Sequence, residues 1–461
     1  MKADYFHRKF EKIIQASPGK YRQEFQENLW PSLLNSSVRY QGRPVKFVYT
    51  PYLITLAQWK FYRRFISLFV NILNKTIDEF LHNKAFRNKF PFGDKMEKYI
   101  LMNPGYKGNF PIARFDILFD RNDNIKFCEL NTDGTSAMNE VRVMQKILAQ
   151  SDAAISLRNN ENISFYGFEL FNSWINILLD KYREFSGKKR VNPTIAIIDF
   201  LTEGVVSEFK EFRDHMQAWD LEAYVVDPRE LSYNGEKLKY KDKKVDLIYR
   251  RATTARLFDN FEEITDLLTA YKDRKVCMCG GFRSQIIHNK AIFHVLNSDD
   301  LDFLTPEEKS FLDKYLLRTG MLKDEDEIKK ELINNQEEYI LKPCDKFAGK
   351  GIKLGKNCDT DEWEQNLDNC CNNNYLYQHF CQPATVDLFT IPEKDKEKAS
   401  FEPYHYTLGF YLYDEKLKGL YNRAGRYDII GSDYECVTVP SYVTVSDNTS
   451  VQDLKEEVKY E

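Results

Sequence analysis

The sequence lacks the features of a membrane, exported or disordered protein. No window approaches the ~18 uninterrupted apolar residues of a membrane helix, and residues 1–10 carry charges where a signal peptide needs an apolar core. Glycine and proline are scarce, 20 and 15 of 461 residues, and 43% of the chain is hydrophobic, so a long disordered tract is not expected. We therefore expect a folded, soluble, cytoplasmic protein with no membrane partner.

Neither sign of charge dominates. The 66 Lys and Arg residues face 70 Asp and Glu residues, which gives a net charge of −4 and a pI near 6.1. The chain thus lacks the broad positive field of a general nucleic-acid binder, and we expect no nucleic-acid partner. The length allows two to four domains at about 100 to 200 residues each, and leaves the oligomeric state open.

The cysteines form no recognisable framework. There are nine, an odd number, and the close pairs Cys277-x-Cys279 and Cys370-Cys371 lack the C-x2-C repeats of a zinc site. Reduced thiols are the preferred interpretation, with metal ligation as the alternative.

Hydrophobic periodicity divides the chain into three regions. In residues 1–150, apolar residues recur at threes and fours and predict a helix over about 56–83, followed by a β-hairpin. Residues 151–275 follow a strand, helix, strand, strand pattern, which is typical of a parallel α/β domain. Residues 276–461 begin with a linker-like stretch at 279–281 and continue as mixed α+β structure.

The hairpin is predicted by two alternating runs, residues 112–119 and 125–131, around a polar turn. Because strand side chains alternate, Arg114 and Asp116 share one face of the first strand. On the second strand, Cys128 and Leu130 share a face, and Glu129 and Asn131 share the opposite one.

If residue 120 pairs with residue 125, Asp116 lies across from Glu129 and Arg114 lies across from Asn131. Two carboxylates and an amide are oxygen donors suited to Mg2+, and the arginine suits a phosphoryl oxygen. The alternative is the solvated outer face of an edge hairpin, which shows the same alternation. The segment that follows, residues 132–137, is small and polar. It could receive a ligand carboxylate or form a plain turn.

Two lysines and a glycine loop suggest phosphate binding. Lys342 ends a predicted strand at 338–342, and the loop after it closes with Gly349-x-Gly351. It is not a P-loop, because Gly351 stands where Ser or Thr should follow Lys350. Lys290 begins a predicted helix, where its charge opposes the helix dipole. Residues 375–380 predict a strand whose end could pair with an adenine edge, or an ordinary buried strand.

Taken in order, these motifs resemble the ATP-grasp carboxylate–amine ligases of the glutathionylspermidine synthase type. The resemblance covers about residues 112–427, the synthetase part, with no amidase-like domain ahead of it. The motifs that carry it are Arg114-Phe-Asp116, Glu129-Leu-Asn131-Thr-Asp, Asn289-Lys290, Leu341-Lys342-Pro with its glycine loop, Tyr377-Gln378, and Tyr421-Asn-Arg-Ala-Gly425.

The resemblance implies an ATP-grasp fold in which the metal-binding strands precede the nucleotide lid, a circularly permuted order, with an inserted parallel α/β domain. It also implies a role for each candidate residue. Mg2+ would be held by Asp116, Glu129 and Asn131; ATP by Lys290, Lys342, Gly349, Gly351, Gln378, His379 and Phe380; the acid substrate by Thr135 and Ser136; and the reacting phosphoryl group by Arg114 and Arg423.

The implied activity is ATP-dependent ligation of an acid to an amine through an acyl phosphate, with ADP and phosphate released. The acid would be an amino acid or short peptide, and the amine a polyamine or amino acid. Whether Arg423 or Arg426 closes on the acyl phosphate stays open. Two alternatives remain: an ATP-grasp phosphotransferase, and a non-catalytic nucleotide-binding protein. No histidine is expected to act as a general base.

Overall fold

The computed structural model of the protein describes residues 5–202, 205–346, 349–371, 373–391, 399–431 and 435–446. Its helices in this part of the chain are α1 (Tyr5–Ala16), α2 (Pro18–Glu24), α3 (Trp30–Leu34), α4 (Leu56–His82), α5 (Lys84–Arg87), α6 (Asp94–Ile100), α7 (Met138–Leu148), α8 (Asp152–Glu161), α9 (Phe171–Ser186), α10 (Val206–Ala218), α11 (Thr254–Asp259), α12 (Thr265–Lys272), α13 (Gln285–His288), α14 (Ala291–Leu296), α15 (Pro306–Tyr315), α16 (Asp326–Asn334) and α17 (Thr360–Cys370).

The strands in the same residues are β1 (Arg39–Tyr40), β2 (Arg43–Pro44), β3 (Tyr52–Thr55), β4 (Ile112–Phe119), β5 (Ile125–Asn131), β6 (Ser164–Tyr166), β7 (Ile195–Ile198), β8 (Ala223–Val226), β9 (Leu231–Tyr233), β10 (Leu238–Tyr240), β11 (Lys243–Lys244), β12 (Leu247–Arg250), β13 (Cys277–Cys279), β14 (Thr319–Met321), β15 (Tyr339–Pro343), β16 (Lys353–Leu354), β17 (Tyr375–His379), β18 (Thr385–Thr390), β19 (Ser400–Tyr413), β20 (Lys416–Gly425), β21 (Cys436–Val439) and β22 (Ser441–Val445).

The central sheet is antiparallel and has the strand order β21-β20-β19-β4-β5, with β18 paired to the first half of β19. Helix α4 covers one face, as its predicted apolar stripe requires. The ring of Phe69 stacks on Phe127 at a centroid distance of 4.0 Å, and Tyr62 packs on Phe410 at 5.0 Å. The opposite face of β4, β5 and β20 is therefore left for polar side chains.

The β4–β5 hairpin confirms the predicted alignment of the polar residues. Asp116 pairs with Glu129, and Arg114 pairs with Asn131. The predicted turn register is wrong by one residue, because Phe119 pairs with Ile125. A bulge at Cys128 restores the alignment, and it also overturns the prediction that Cys128 and Leu130 share a face. Leu130 is in the core, whereas Cys128 lines the polar side.

Four strands form a parallel sheet with the order β13-β12-β7-β8, in agreement with the parallel strands predicted for this region. Its helices pack through aromatic side chains: Trp174 and Phe212 contact the ring of Tyr249 at 5.2 and 5.6 Å. Trp174 also contacts Tyr413 of the central sheet at 5.3 Å. The two sheets therefore share a core. The stretch at 279–281, expected to be a linker, instead begins inside β13, the buried edge strand of this sheet.

The third layer is the antiparallel sheet β14-β17-β15-β16, covered by α16 and α17. Its apolar residues form a cluster separate from the main core, centred on Trp363, whose indole nitrogen donates to the carbonyl of Leu332 at 2.9 Å. Strands β4 and β5 precede this layer in sequence, and β18 to β21 follow it. The layer is thus an insertion into the central sheet, placed over its polar face.

The N-terminal helices pack with a smaller sheet, β3-β22-β6, around a cluster that includes Phe10, Tyr49 and Tyr442. Helix α15 begins with a capping box, in which Thr305 and Glu308 form reciprocal hydrogen bonds. All nine cysteines are free thiols. Among the described residues, every helix is too short or too polar to cross a membrane.

Candidate functional site

The candidate metal residues converge on one point of the polar face. The side-chain nitrogen of Asn131 lies 3.2 Å from Asp116 Oδ2 and 3.4 Å from Glu129 Oε2. Asp116 exposes only 3% of its surface and Arg114 only 8%. A solvated outer face is therefore excluded for this hairpin, and the three groups form an internal site.

Each carboxylate of this site faces cations. Arg114 makes a two-pronged contact with Asp116, at 2.7 Å from Nε to Oδ1 and 3.0 Å from Nη2 to Oδ2. Arg423 Nη2 lies 3.3 Å from Asp116 Oδ2, and Lys290 Nζ lies 2.9 Å from Glu129 Oε1. Arg426 instead pairs with Glu402 at the surface. Of the two arginines left open by the sequence, Arg423 is the one at the site.

The electrostatics favour an anionic ligand. Burial by itself would raise the pKa of Glu129, but Lys290, Arg114 and Arg423 outweigh it and lower that pKa to about 2. Lys342 has the opposite perturbation, because burial lowers its pKa. Its Nζ donates to the neutral amide of Gln378 at 2.7 Å, and makes no ion pair within the described residues.

Four cations thus meet at the cleft, Arg114 and Lys290 buried and Lys342 and Arg423 half-buried, and their ion pairs among the described residues involve two carboxylates, Asp116 and Glu129. A surplus of positive charge in a buried cleft is expensive without an anion to balance it. Phosphate oxygens are suitable partners for such groups.

Lys290 and Lys342 reach this cleft from different elements. Lys290 immediately precedes α14, and its ammonium also donates to the carbonyl of Lys346 at 2.6 Å. Lys342 comes from β15, where β17 holds Gln378 beside it. Gln378 in turn donates to Thr319 at 2.9 Å. The lysines are therefore fixed by the layer that covers the central sheet.

A cavity of about 120 Å³ lies between that layer and the central sheet. It brings together most of the residues expected to bind ATP, with apolar walls from Leu317, Ile340 and Ile352. Lys356 lies 4.5 Å above the ring of Phe380. The predicted residues that line the cavity are Lys290, Lys342, Gly349, Gln378, His379 and Phe380, with Asp116 and Glu129 at one end.

The glycine loop meets the cavity only in part. Gly349 and Lys350 line it, whereas Gly351 packs away from it. Both glycines have φ of +77°, and a Cβ on Gly351 would lie 2.8 Å from the hydroxyl of Tyr375. Residues 347 and 348 of the predicted loop lie outside the described residues. The glycines are therefore needed for the backbone path, and Gly349 alone reaches the candidate ligand space.

A second cavity, of about 210 Å³, adjoins the first on the side of the parallel domain. Thr135 and Ser136 line it, as expected for the acid substrate, together with Arg114 and Asn131. The hydroxyl of Thr135 donates to the carbonyl of Asn131 at 2.8 Å, and the carbonyl of Ser136 accepts from Arg114 at 3.2 Å. The segment after β5 is thus a wall of the site rather than a plain turn.

This wall is anchored to the parallel domain. The buried carboxylate of Asp133 pairs with Arg250 and accepts from the backbone N–H of Thr254 at 2.6 Å. Gly134 has φ of +63°, and a Cβ there would lie 2.8 Å from the carbonyl of Arg251. Only glycine fits this position without displacing the backbone of the parallel domain.

The sequence did not indicate several residues of the site. Arg251 lines the larger cavity from the end of β12 and pairs with Glu208 at 3.0 Å. Its position at the carboxyl end of a parallel strand is a signal that sequence reading could have used. Cys128 and Glu140 are also at the two cavities, but no motif marks either one.

The donor set fits Mg2+. Two carboxylate oxygens lie within 3.4 Å of a single Asn131 side-chain atom, and that amide can present its oxygen by rotating. Oxygen ligands of this kind, few in number and next to a phosphate-suited cleft, are typical of magnesium rather than of zinc. No cluster of three or more His, Cys, Asp or Glu side chains suited to a metal exists among the described residues.

Comparison with known proteins supports the fold. The chain matches no protein-family model and none of the curated proteins. It is similar to the apo structure of a glutathione synthetase-like effector from Globodera pallida, with a TM-score of 0.56 and 9% identity over 92% of this chain and 96% of that one. This likeness shows that the two chains share a fold.

A second structure is the ATP-grasp ligase PsnB in complex with a phosphomimetic variant of its minimal precursor, Mg and ADP. It has 11% identity over 59% of this chain and 95% of that one. Its TM-score of 0.29 is too low to indicate a common overall fold.

Proposed function

We propose that the protein is an ATP-dependent carboxylate–amine ligase that forms an amide through an acyl phosphate and releases ADP and phosphate. The observation that carries this proposal is the junction of the two cavities. Glu129, Gly349, Arg423 and Ile430 line both of them. A phosphoryl group can therefore pass from a nucleotide in one cavity to an acid in the other without leaving the buried cleft.

The smaller cavity suits ATP. Lys290 and Lys342 supply charge for the phosphates, and the backbone at Gly349 allows close approach. The segment Gln378 to Phe380 and the apolar walls lie on the side where a base would rest. Asp116, Glu129 and Asn131 would hold Mg2+, which would neutralise phosphate charge when bound.

The larger cavity suits the acid substrate, beside Thr135 and Ser136. A carboxylate does not acylate an amine at neutral pH until it is activated, and ATP can activate it as an acyl phosphate. Arg423 lies at the junction and Arg114 lines the larger cavity beside it, where both would neutralise the negative charge of the transferred group. Positioning and charge neutralisation are the main requirements of phosphoryl transfer, and these residues supply both.

The glutathione synthetase-like fold adds support, since the name of that structure refers to a carboxylate–amine ligase. From the resemblance of the motifs, the acid would be an amino acid or short peptide, and the amine a polyamine or amino acid. The order of the motifs is the basis for proposing the glutathionylspermidine synthase type.

The test is a screen for ADP release and hydroxamate formation. The pure protein is incubated with ATP, Mg2+, hydroxylamine and a panel of amino acids and short peptides. A ligase should form a hydroxamate with its acid, because hydroxylamine intercepts the acyl phosphate. Replacing hydroxylamine with polyamines or amino acids should then give an amide one water lighter than its two parts.

Arg423→Gln should abolish the hydroxamate, whereas Arg426→Gln should leave it unchanged, because Arg426 pairs with Glu402 outside the site. A stable phosphate ester formed at full rate without an amine would contradict the ligase and indicate a phosphotransferase. ATP binding without any product from the panel would indicate a non-catalytic protein.

A further inference from the structure

Glu140, in the first turn of α7, places a half-satisfied carboxylate in the larger cavity. Its Oε2 accepts from the hydroxyls of Tyr421 at 2.8 Å and Thr438 at 3.0 Å. Among the described residues, no donor reaches Oε1. One oxygen is therefore fixed by the protein and the other is left for a ligand.

Glu140 is connected to the phosphoryl junction through a single side chain. The ring of Tyr421 lies 5.1 Å from the guanidinium of Arg114 and 5.6 Å from that of Arg423. Both arginines contact Asp116. The carboxylate thus lines the acid cavity one tyrosine away from these two arginines.

The surroundings of Glu140 favour a proton acceptor over a permanent ion pair. Burial raises the pKa of Glu140, and the two hydroxyl donors oppose that effect without cancelling it. The titratable groups around it come from four elements: Glu208 of α10, Tyr411 of β19, Tyr421 and Arg423 of β20, and Cys436 of β21. Arg423 is the cation whose charge lowers the pKa of Glu140, but it is already in contact with Asp116.

We propose that Glu140 is the catalytic residue that binds the incoming amine and accepts its proton, so that the nucleophile is a primary or secondary amine. This inference rests on the proposed function. Glu129 and Asp133 also line this cavity, but both form ion pairs, whereas Glu140 is held by two hydroxyls and keeps one oxygen free. An amine requires such a carboxylate, and an acid substrate does not.

The neutral amine attacks the carbonyl carbon of the acyl phosphate, which forms the C–N bond. The C–O bond to phosphate breaks, and phosphate leaves with its electron pair. The proton on the nitrogen passes to Oε1 of Glu140. Solvent then carries that proton to the phosphate, which is released as hydrogen phosphate, and the carboxylate is restored.

The experiment compares two amines in Glu140→Gln, with the acid that gives most hydroxamate. Methylamine is almost fully protonated near neutral pH, so its reaction depends on a group that accepts its proton. Hydroxylamine is largely neutral at that pH, and its adduct loses a proton more easily, so its reaction depends less on such a group. Amide formation with methylamine should fall about 100-fold or more, within the ordinary range of general-base effects, while hydroxamate formation changes only a few-fold. Equal losses with both amines, or no loss with either, would overturn the role.

A second variant keeps the test decisive if Glu140→Gln does not fold. Thr438→Val preserves the branched shape and removes one donor to Oε2. The pKa of Glu140 should rise further, so the acid limb of the methylamine rate should move to higher pH. An unmoved limb would contradict the proposal. If the wild-type protein forms neither product, the ligase assignment itself fails, which is a different outcome from a failure of Glu140 alone.

Discussion

The ion pair between Glu129 and Lys290 allows a quantitative test of the site. Glu129→Gln removes the charge with little change of shape, and leaves Lys290 facing a neutral amide in a cleft that already has surplus positive charge. The side chain of Glu129 is only 23% exposed, so solvent screens the pair weakly. We expect the variant to fold and to be less stable.

The size of the effect follows from the pKa. Cationic neighbours lower the pKa of Glu129 from 4.5 to about 2, against the effect of burial. At about 1.4 kcal/mol for each pKa unit, this corresponds to about 3 kcal/mol of unfolding free energy at neutral pH. Because the folded-state pKa is the lower one, this stability is present above pH 4.5 and is lost as pH falls toward 2. Less than half of this contribution should remain at pH 3.

The assay is urea unfolding of wild type and variant at pH 7 and pH 3, in the absence of nucleotide. Glu262→Gln is the control, since Glu262 is 84% exposed and pairs with Lys95 at the surface, where ion pairs contribute about 0 to 1 kcal/mol. A difference that stays constant between the two pH values would refute the reasoning. So would a difference no larger than that of the control.

The other predictions concern the layer over the cleft. Lys342→Met keeps the aliphatic stem and removes the charge, so calorimetry should show a binding free energy for ATP that is weaker by about 1.5 to 3 kcal/mol. The control Lys353→Met should bind ATP as the wild type does. Equal ATP affinities of Lys342→Met and wild type would place Lys342 outside the site. Gly351→Ala should lower the free energy of unfolding by about 1 to 2 kcal/mol, because residue 351 has a φ of +77°. Adding Tyr375→Phe to this variant should restore only the part of that loss that comes from the contact with the tyrosine hydroxyl. Amide exchange at residues 349–352 should slow when ATP and Mg2+ bind, and unchanged exchange would argue against a nucleotide clamp.

The sequence determined what depends on local periodicity. Alternation along residues 112–131 was sufficient to place Asp116 opposite Glu129 and Arg114 opposite Asn131, because strand pairing follows from a fixed two-residue repeat. The apolar stripe of α4 and the parallel strands of the α/β domain were predictable for the same reason. Motif order added the expectation of an ATP-grasp-like fold.

The tertiary structure decided which polar residues meet. The alternation of the hairpin is equally compatible with a solvated face, and only the layer of residues 319–379 packed over it turns that face into a cleft. Lys342 and Arg423 reach Asp116 and Glu129 from more than two hundred residues away, a proximity that no local pattern encodes.

The same holds for Glu140 and Arg251, which belong to no motif. Each becomes part of the site only because a helix end or a strand end from another layer borders the larger cavity. The bulge at Cys128 is a further feature that no motif indicates. Its extra residue in β5 compensates for the one-residue difference between the predicted and the observed turn, so Asp116 still pairs with Glu129. Periodicity fixes the face of each strand, whereas long-range packing fixes what that face contacts.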